Sequence, residues 1–437
     1  MLGVSAAGPV GATRPAERIS PDPAGQPARS AERGAWAVLS GVDGLGPVGF
    51  NALLRRYRTG VAILEEAASP GGIGRLTATP RGDDGADGPD GEVDAWRGLS
   101  GKVAEAIADA AQRADLTLAR LEALGLQVVT TADGAYPSRL ATIDMPPHVL
   151  YVLGDPRALE ARSAVAVVGT RRATDAGRAT AARVAAALTS VGSTVVSGLA
   201  TGIDGAAHAA TLHAGGTTVA VIGSGHAALF PRIHQRLARS IVDAGGAIVS
   251  ELAPDIRPTH GTFPRRNRVI SGLADAVVVV EAPARSGALI TASWALEQGR
   301  DCFLVPGSID APASAGCLAF LREFAGTARI VAGIPQLIDD LGLAGRLAEP
   351  GVRDTAAATL VEVGEAAGRI GREVLRGRAT VDELVAVTGW PIASVLVALT
   401  MLERHGLVVG IHGRFRASGP LAAADPTRPR RRPSARI

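Results

Sequence analysis

The chain has 437 residues, 47% of them hydrophobic and 20% charged, with a formal net charge of +3 at pH 7. That length exceeds one ordinary core and predicts two or three domains. The balance excludes a wholly disordered chain and offers no global electrostatic argument for nucleic acid.

In chain order, residues 1–33 are rich in Pro, Ala, Gly and Arg without periodicity, and a disordered leader is expected there. It lacks the charged start and sustained apolar core of a secretion signal. Residues 34–125 read as a helical domain. Helices flank the Gly44-Leu45-Gly46-Pro47 hairpin, an acidic Gly/Pro loop over 69–95 looks too polar to pack, and helix returns near residue 100. Residues 126–345 form the next unit. From residue 164 onward, the apolar runs "AVAVVG", "TVVSG", "TVAVIG", "AIVSE", "AVVVVEA", "CFLVPG" and "ARIV" alternate with helical stretches. Unbroken apolar runs mean strands buried on both faces, hence an α/β fold with a parallel sheet between helices.

After a linker at 346–361, residues 362–417 read as helices followed by a hairpin, a winged-helix-like order. Thr380 stands three residues before Glu383, a capping box. In the next helix Ile392, Val395, Leu396, Leu399 and Leu402 share an apolar face. Its outward positions, Ala393, Ser394, Val397, Thr400, Glu403 and Arg404, include one cation only, too few for base readout in a groove. The tail, 418–437, is basic and expected to be disordered. No apolar run reaches the roughly 20 residues of a membrane helix. Cys302 and Cys317 fit neither a disulfide framework nor a zinc spacing. A cytoplasmic protein with no metal and no membrane partner is expected.

In such a sheet, ligands sit at the carboxyl ends of the strands. Those ends here carry Gly169-Thr170-Arg171-Arg172, then Ser197-Gly198, Gly223-Ser224-Gly225, and Glu251 followed by "FPRRNR". The last is Glu281, followed by Arg285-Ser286-Gly287. Glycine lets an anion approach the backbone, and helix starts offer free N–H groups, so phosphate is the expected guest. A dinucleotide fingerprint after the first run is missing. Lys102, the only lysine among 45 basic residues, is far from any glycine loop, so a P-loop is missing too. No cofactor is expected. Ser197, Asp204 and His208 lie close enough in sequence for a nucleophilic set, but Asp204 reads better as a helix cap and His208 as a packed side chain.

The arginines carry more. Arg171, Arg265, Arg266, Arg268 and Arg285 along one edge exceed what a cofactor phosphate needs and suit a track of phosphates, as a nucleic-acid strand presents. The plain alternative is surface arginine in an arginine-rich chain. Phe263 and Phe230 are candidates for stacking on bases or for the core. Asn267 reads equally as a base contact or as a support for its own segment.

Several long motifs carry a resemblance. "YPSRLATIDMPPHVLYVLGD", "VAVVGTRRATDAG", "VVSGLATGIDGAAHAATLHAGGTTVAVIGSG" and "FPRRNRVISGLADAVVVVEAPARSGALITASWALEQGRDCFLVPG" stand in the order seen in the DprA/Smf DNA-processing family, which the chain resembles over about residues 35–417. The resemblance implies an extended Rossmann-like domain that binds and protects single-stranded DNA and loads the RecA recombinase in natural transformation. It also implies dimerisation through that domain, an N-terminal module like sterile-alpha-motif or helix-hairpin-helix units, and no enzymatic activity. Arg171 matches the family's G-[ST]-R and Arg266, Asn267 and Arg268 its R-N-R. Two stretches depart from it. "LFP" replaces the usual tyrosine-proline, and "GCLAFLREFAGTARIV" is looser than the family pattern. A related alternative is a nucleotide phosphoribohydrolase of the lysine-decarboxylase-like class. In that reading "EAPARSGALITA" would stand for its P-G-G-x-G-T loop, with Glu281 as the candidate base.

Overall fold

A computed structural model describes residues 26–79, 98–343, 364–375, 380–411 and 414–417. Its centre is a nine-stranded sheet. The strands are β1 Gln127–Thr130, β2 Val149–Gly154, β3 Ala164–Val168, β4 Thr194–Ser197, β5 Thr218–Val221, β6 Ala247–Ser250, β7 Ala276–Val279, β8 Asp301–Leu304 and β9 Ala328–Ile330. Their spatial order is β1-β2-β6-β5-β4-β3-β7-β8-β9.

The seven apolar runs become β3 to β9, every neighbouring pair among them parallel. Two-sided burial accounts for the composition of β3 to β8, while β9 at the edge leaves Ile330 exposed. In β3, Val165 and Val167 face a core with Ala181, Val184 and Leu188 of the helix Asp175–Ser190. Ala164, Ala166 and Val168 face the opposite core, with Val269 and Ile270 of the helix Thr262–Gly272 and Ala288 and Ala292 of Gly287–Glu297. Strand order runs outward from β3 through β4 and β5 to β6, then returns to β7 on the other flank. The switch point, where such sheets open a crevice, therefore lies between the ends of β3 and β7. The sequence reading missed β1 and β2, which add to this sheet antiparallel.

The helices Gln26–Ser40, Pro47–Tyr57, Gly60–Ala68, Gly72–Thr77, Gly101–Gln112 and Ala114–Ala123 precede the sheet. They do not form a core of their own. Trp36, Leu53, Ile63 and Ile107 share one cluster with Leu126, Val149 and Tyr151 of the first strands and their approach. The Tyr151 hydroxyl donates to the Ala37 carbonyl at 2.9 Å. Two expectations need correction. The first helix begins inside the expected leader, at Gln26. The expected polar loop at 69–95 contains the helix Gly72–Thr77, whose Leu76 is wholly buried. Residues 1–25 and 80–97 lie outside the described residues, as do the expected linker at 346–361 and the tail at 418–437.

Toward the C-terminus the helices Glu365–Leu375, Val381–Thr388 and Ile392–Arg404 precede a hairpin of Val408–Ile411 with Arg414–Ala417. The Thr380–Glu383 capping box forms with both of its bonds. Val395, Leu399 and Leu402 are buried as expected, but Ile392 and Leu396 point to solvent. The apolar stripe is broader than the small core behind it, which has room only for the narrower face. No single helix among the described residues is long and apolar enough to cross a membrane.

Candidate nucleic-acid interface

The loops leaving β3, β4 and β5 and the helix Thr262–Gly272 meet at the carboxyl edge. Arg171, just past β3, is exposed, and its guanidinium lies 4.7 Å from the centroid of the Phe263 ring. Phe263 in turn meets Phe230 edge-on, centroids 5.9 Å apart. Gly223, after β5, is required there, since a Cβ on it would stand 2.9 Å from the Phe263 ring. An arginine held over an aromatic face keeps its donors outward while the ring fixes its plane. Among the described residues, no ion pair neutralises Arg171, Arg172 or Arg285, all of them exposed. Arg265 is also exposed and stands 3.8 Å from Glu251.

Arg266, Asn267 and Arg268 sit differently. The segment expected as an open edge is a helix in which every residue from Arg266 to Gly272 is buried. Arg266, 5% exposed, reaches under the loops and donates to the carbonyls of Gly198 (3.0 Å) and Val221. Its charge faces Asp204, whose carboxylate accepts from the amides of Gly198 (3.1 Å) and Ala200 (3.4 Å). Burial lowers the Arg266 pKa to about 10, against the opposing attraction of Asp204, so Arg266 remains protonated at neutral pH. Burial also raises Asp204, against Arg266 and the backbone donors around it. Gly198 has to be glycine here, because a Cβ would lie 2.7 Å from Asp204 and 2.8 Å from Arg266. Arg268, 3% exposed, donates to Glu251 at 2.5 Å. The Asn267 side chain accepts from Arg266 Nε at 3.3 Å and donates to the Gly287 carbonyl at 3.0 Å. It therefore ties its helix to the start of Gly287–Glu297.

The backbone amides also differ from expectation. Thr170 N–H donates to the Glu281 carbonyl at 2.7 Å, Gly198 N–H to Asp204, and Gly225 N–H to the Ile256 carbonyl at 2.8 Å. These glycine-loop donors close the loops on each other, which leaves the outward-facing positive charge to side chains. Gly169 is tightly packed, since a Cβ on it would meet Ile203 at 2.5 Å and the Glu281 carbonyl at 2.9 Å. The Thr170 hydroxyl accepts from Arg172 N–H at 3.2 Å. Ser286 caps the helix Gly287–Glu297, accepting from Ala288 N–H at 3.3 Å, and Gly287 at its start is exposed.

The nucleophilic set does not assemble. The Ser197 hydroxyl donates to the Val167 carbonyl at 2.7 Å, and His208 Nδ1 lies 2.7 Å from the Thr218 hydroxyl, with burial holding its pKa down to about 3. Glu281, the candidate base, is buried, and its two oxygens accept from Thr174 N–H at 2.9 Å and from the Thr174 hydroxyl at 2.8 Å. Sequence reading missed Asp204 as the partner of Arg266 and Glu251 as the partner of Arg268. Spacings of 62 and 17 residues carry no local signal. No group of residues fit to hold a metal is present among the described residues.

Comparison with known proteins gives a consistent set of likenesses. A family model described as DNA recombination-mediator protein A matches residues 127–342. The chain is 36% identical over 322 residues to Protein Smf of Synechocystis sp., covering 72% of this chain and 73% of that protein. It is 42% identical over 273 residues to a putative DNA processing protein DprA of Mycobacterium tuberculosis, covering 62% and 68%. Among solved structures, DNA processing protein A from Helicobacter pylori, described with a single-stranded DNA binding mode, is 28% identical at a TM-score of 0.45. That match covers 49% of this chain and 95% of that one.

Proposed function

Since the chain belongs to the DprA/Smf family of DNA-processing proteins, we propose that its carboxyl edge holds single-stranded DNA. The observation that carries this reading is the exposed, unneutralised Arg171 seated on the Phe263 ring at the mouth of a doubly wound sheet. A cation beside two rings that meet edge-on suits a strand with its phosphates on one side and unpaired bases on the other. Arg172, Arg265 and Arg285 extend the positive edge. Arg266, Asn267 and Arg268 act from beneath by holding the loops in place, as do Thr170, Ser197, Gly198 and Ser286. The bound strand is protected and passed to the RecA recombinase, and two copies of the chain act together, joined through the Rossmann-like domain. The setting is cytoplasmic transformation and recombination.

The phosphoribohydrolase alternative needs a free carboxylate base. Both oxygens of Glu281 are held by Thr174, so a binding protein rather than an enzyme is the better reading. The N-terminal helices fit a sterile-alpha-motif or helix-hairpin-helix module and residues 362–417 a winged helix. Neither is needed for the DNA site.

A gel shift with mixed-sequence oligonucleotides tests the reading. Single strands should bind in preference to duplex, and log K should fall with log salt by about 0.7 for each phosphate contacted. Equal affinity for duplex, or no salt dependence, would sink it. Truncation after residue 345 should keep single-strand affinity within about tenfold of full length, roughly 1.4 kcal/mol. The exposed face of the helix Ile392–Arg404 presents Ile392, Leu396, Val397 and Met401 with a single cation, Arg404. Complete loss of binding in a folded truncation would move the site to the C-terminal domain.

A further inference from the structure

Beyond Phe230 the surface does not return to the usual polar mix. The loop after β5 runs on through Pro231 and Arg232 to Ile233, which is 77% exposed, and Phe230 itself is 44% exposed. The loop after β6 brings Ile256, 42% exposed, and Arg257 alongside. The two loops are fastened together. Gly225 N–H donates to the Ile256 carbonyl at 2.8 Å, and Ala227 N–H to the Pro254 carbonyl at 2.9 Å. Gly225 permits this approach, since a Cβ there would overlap the carbonyls of Ala253 and Pro254. Exposed isoleucines on two loops locked in this way form a fixed surface rather than a pair of independent tips.

The charge on this surface has one sign. Among the described residues, Arg232 and Arg257 are exposed and in no ion pair. The adjacent acid, Asp255, is held by Arg120 at 2.8 Å on the side of the N-terminal helices. The patch is continuous with the Arg171–Phe263 pair, because Phe230 touches both: it contacts Phe263 and leads directly into Pro231 and Arg232.

We propose that Phe230, Arg232, Ile233, Ile256 and Arg257 form a second subsite for the same DNA strand. It would take the nucleotides that extend past Arg171 along the ends of β5 and β6. The inference rests on the proposed single-strand binding at Arg171 and adds where the strand goes next. Apolar side chains and a ring offer contact to unpaired bases whatever their identity, and the two guanidinium groups take the phosphates between them. A folded protein partner would also cover exposed isoleucines, but it would not call for two exposed cations that, among the described residues, are in no ion pair. DNA is therefore the occupant this surface favours.

The test compares oligothymidines of about 6 and about 20 nucleotides, a span around that of single-strand modules, on the full-length chain by fluorescence anisotropy. Arg232→Ala/Arg257→Ala and Ile233→Ser/Ile256→Ser are the variants. All four positions are exposed, so folding is not at stake, and a thermal melt checks this. Each double variant should weaken binding of the long strand about tenfold and leave the short strand, seated at Arg171, unchanged. The arginine pair should also reduce the salt slope by about 1.4, the share of two phosphates on a single strand. Long-strand affinity and slope equal to wild type, while Arg171→Ala weakens binding, would overturn the second subsite and leave the first standing. A surface that serves a protein partner instead would give that result. Failure of wild type to bind either length would remove the underlying reading and this one with it.

Discussion

Arg266→Ala should lower the unfolding free energy by about 1–3 kcal/mol for each of the two buried carbonyls, Gly198 and Val221, that it leaves without a charged donor. The effect has a definite source. Without the guanidinium, Asp204 stays buried with only backbone amides for company, and the carbonyls of Gly198 and Val221 lose a charged donor. Urea denaturation should show the loss as a lower midpoint of the central-domain transition. DNA affinity should fall as well, because the loops carrying Arg171 and Phe263 lose their common support. The double variant Asp204→Asn/Arg266→Met should regain part of the stability, since it removes the stranded charge and keeps the volume filled. A single Arg266→Ala variant with wild-type stability and lost binding would show that Arg266 turns outward to the ligand.

Arg171→Ala should do the reverse. Its side chain is exposed and its one described side-chain contact is the Phe263 ring, worth about 0.5–1 kcal/mol at an exposed site. The melting temperature should therefore barely move. Single-strand affinity should drop about 10–100-fold, the equivalent of roughly 1.5–3 kcal/mol for a hydrogen bond to a charged group. The salt slope should shrink by about 0.7 if Arg171 takes one phosphate. Anisotropy titrations at several salt concentrations read both quantities. A large stability loss with intact binding would make Arg171 a structural residue. The contrast between the two arginines is the sharper comparison: one variant is expected to lose stability first, the other affinity alone.

The winged-helix-like region shows why a period alone misleads at a small core. Heptad-like spacing placed Ile392 and Leu396 with Val395, Leu399 and Leu402, yet only the last three are covered. Two short helices and a hairpin cannot wrap a broader stripe.

The sequence by itself determined the parallel sheet. Strands β3 to β8 are apolar without alternation because both of their faces are covered, and that composition is legible without coordinates, whereas β9 lies at the sheet edge with Ile330 exposed. It also placed the glycine loops at one edge, since in such a sheet every strand delivers its end to the same side. The flanking β1 and β2 escaped because short antiparallel additions at an edge leave no comparable run. The tertiary structure alone decided the fate of the R-N-R residues. Whether a guanidinium faces solvent or core depends on an acid waiting for it, and Asp204 and Glu251 reach Arg266 and Arg268 only once β4, β6 and the helix Thr262–Gly272 have packed. Arg171 has no such acid, and so it alone of the matched arginines is left outside, resting on Phe263.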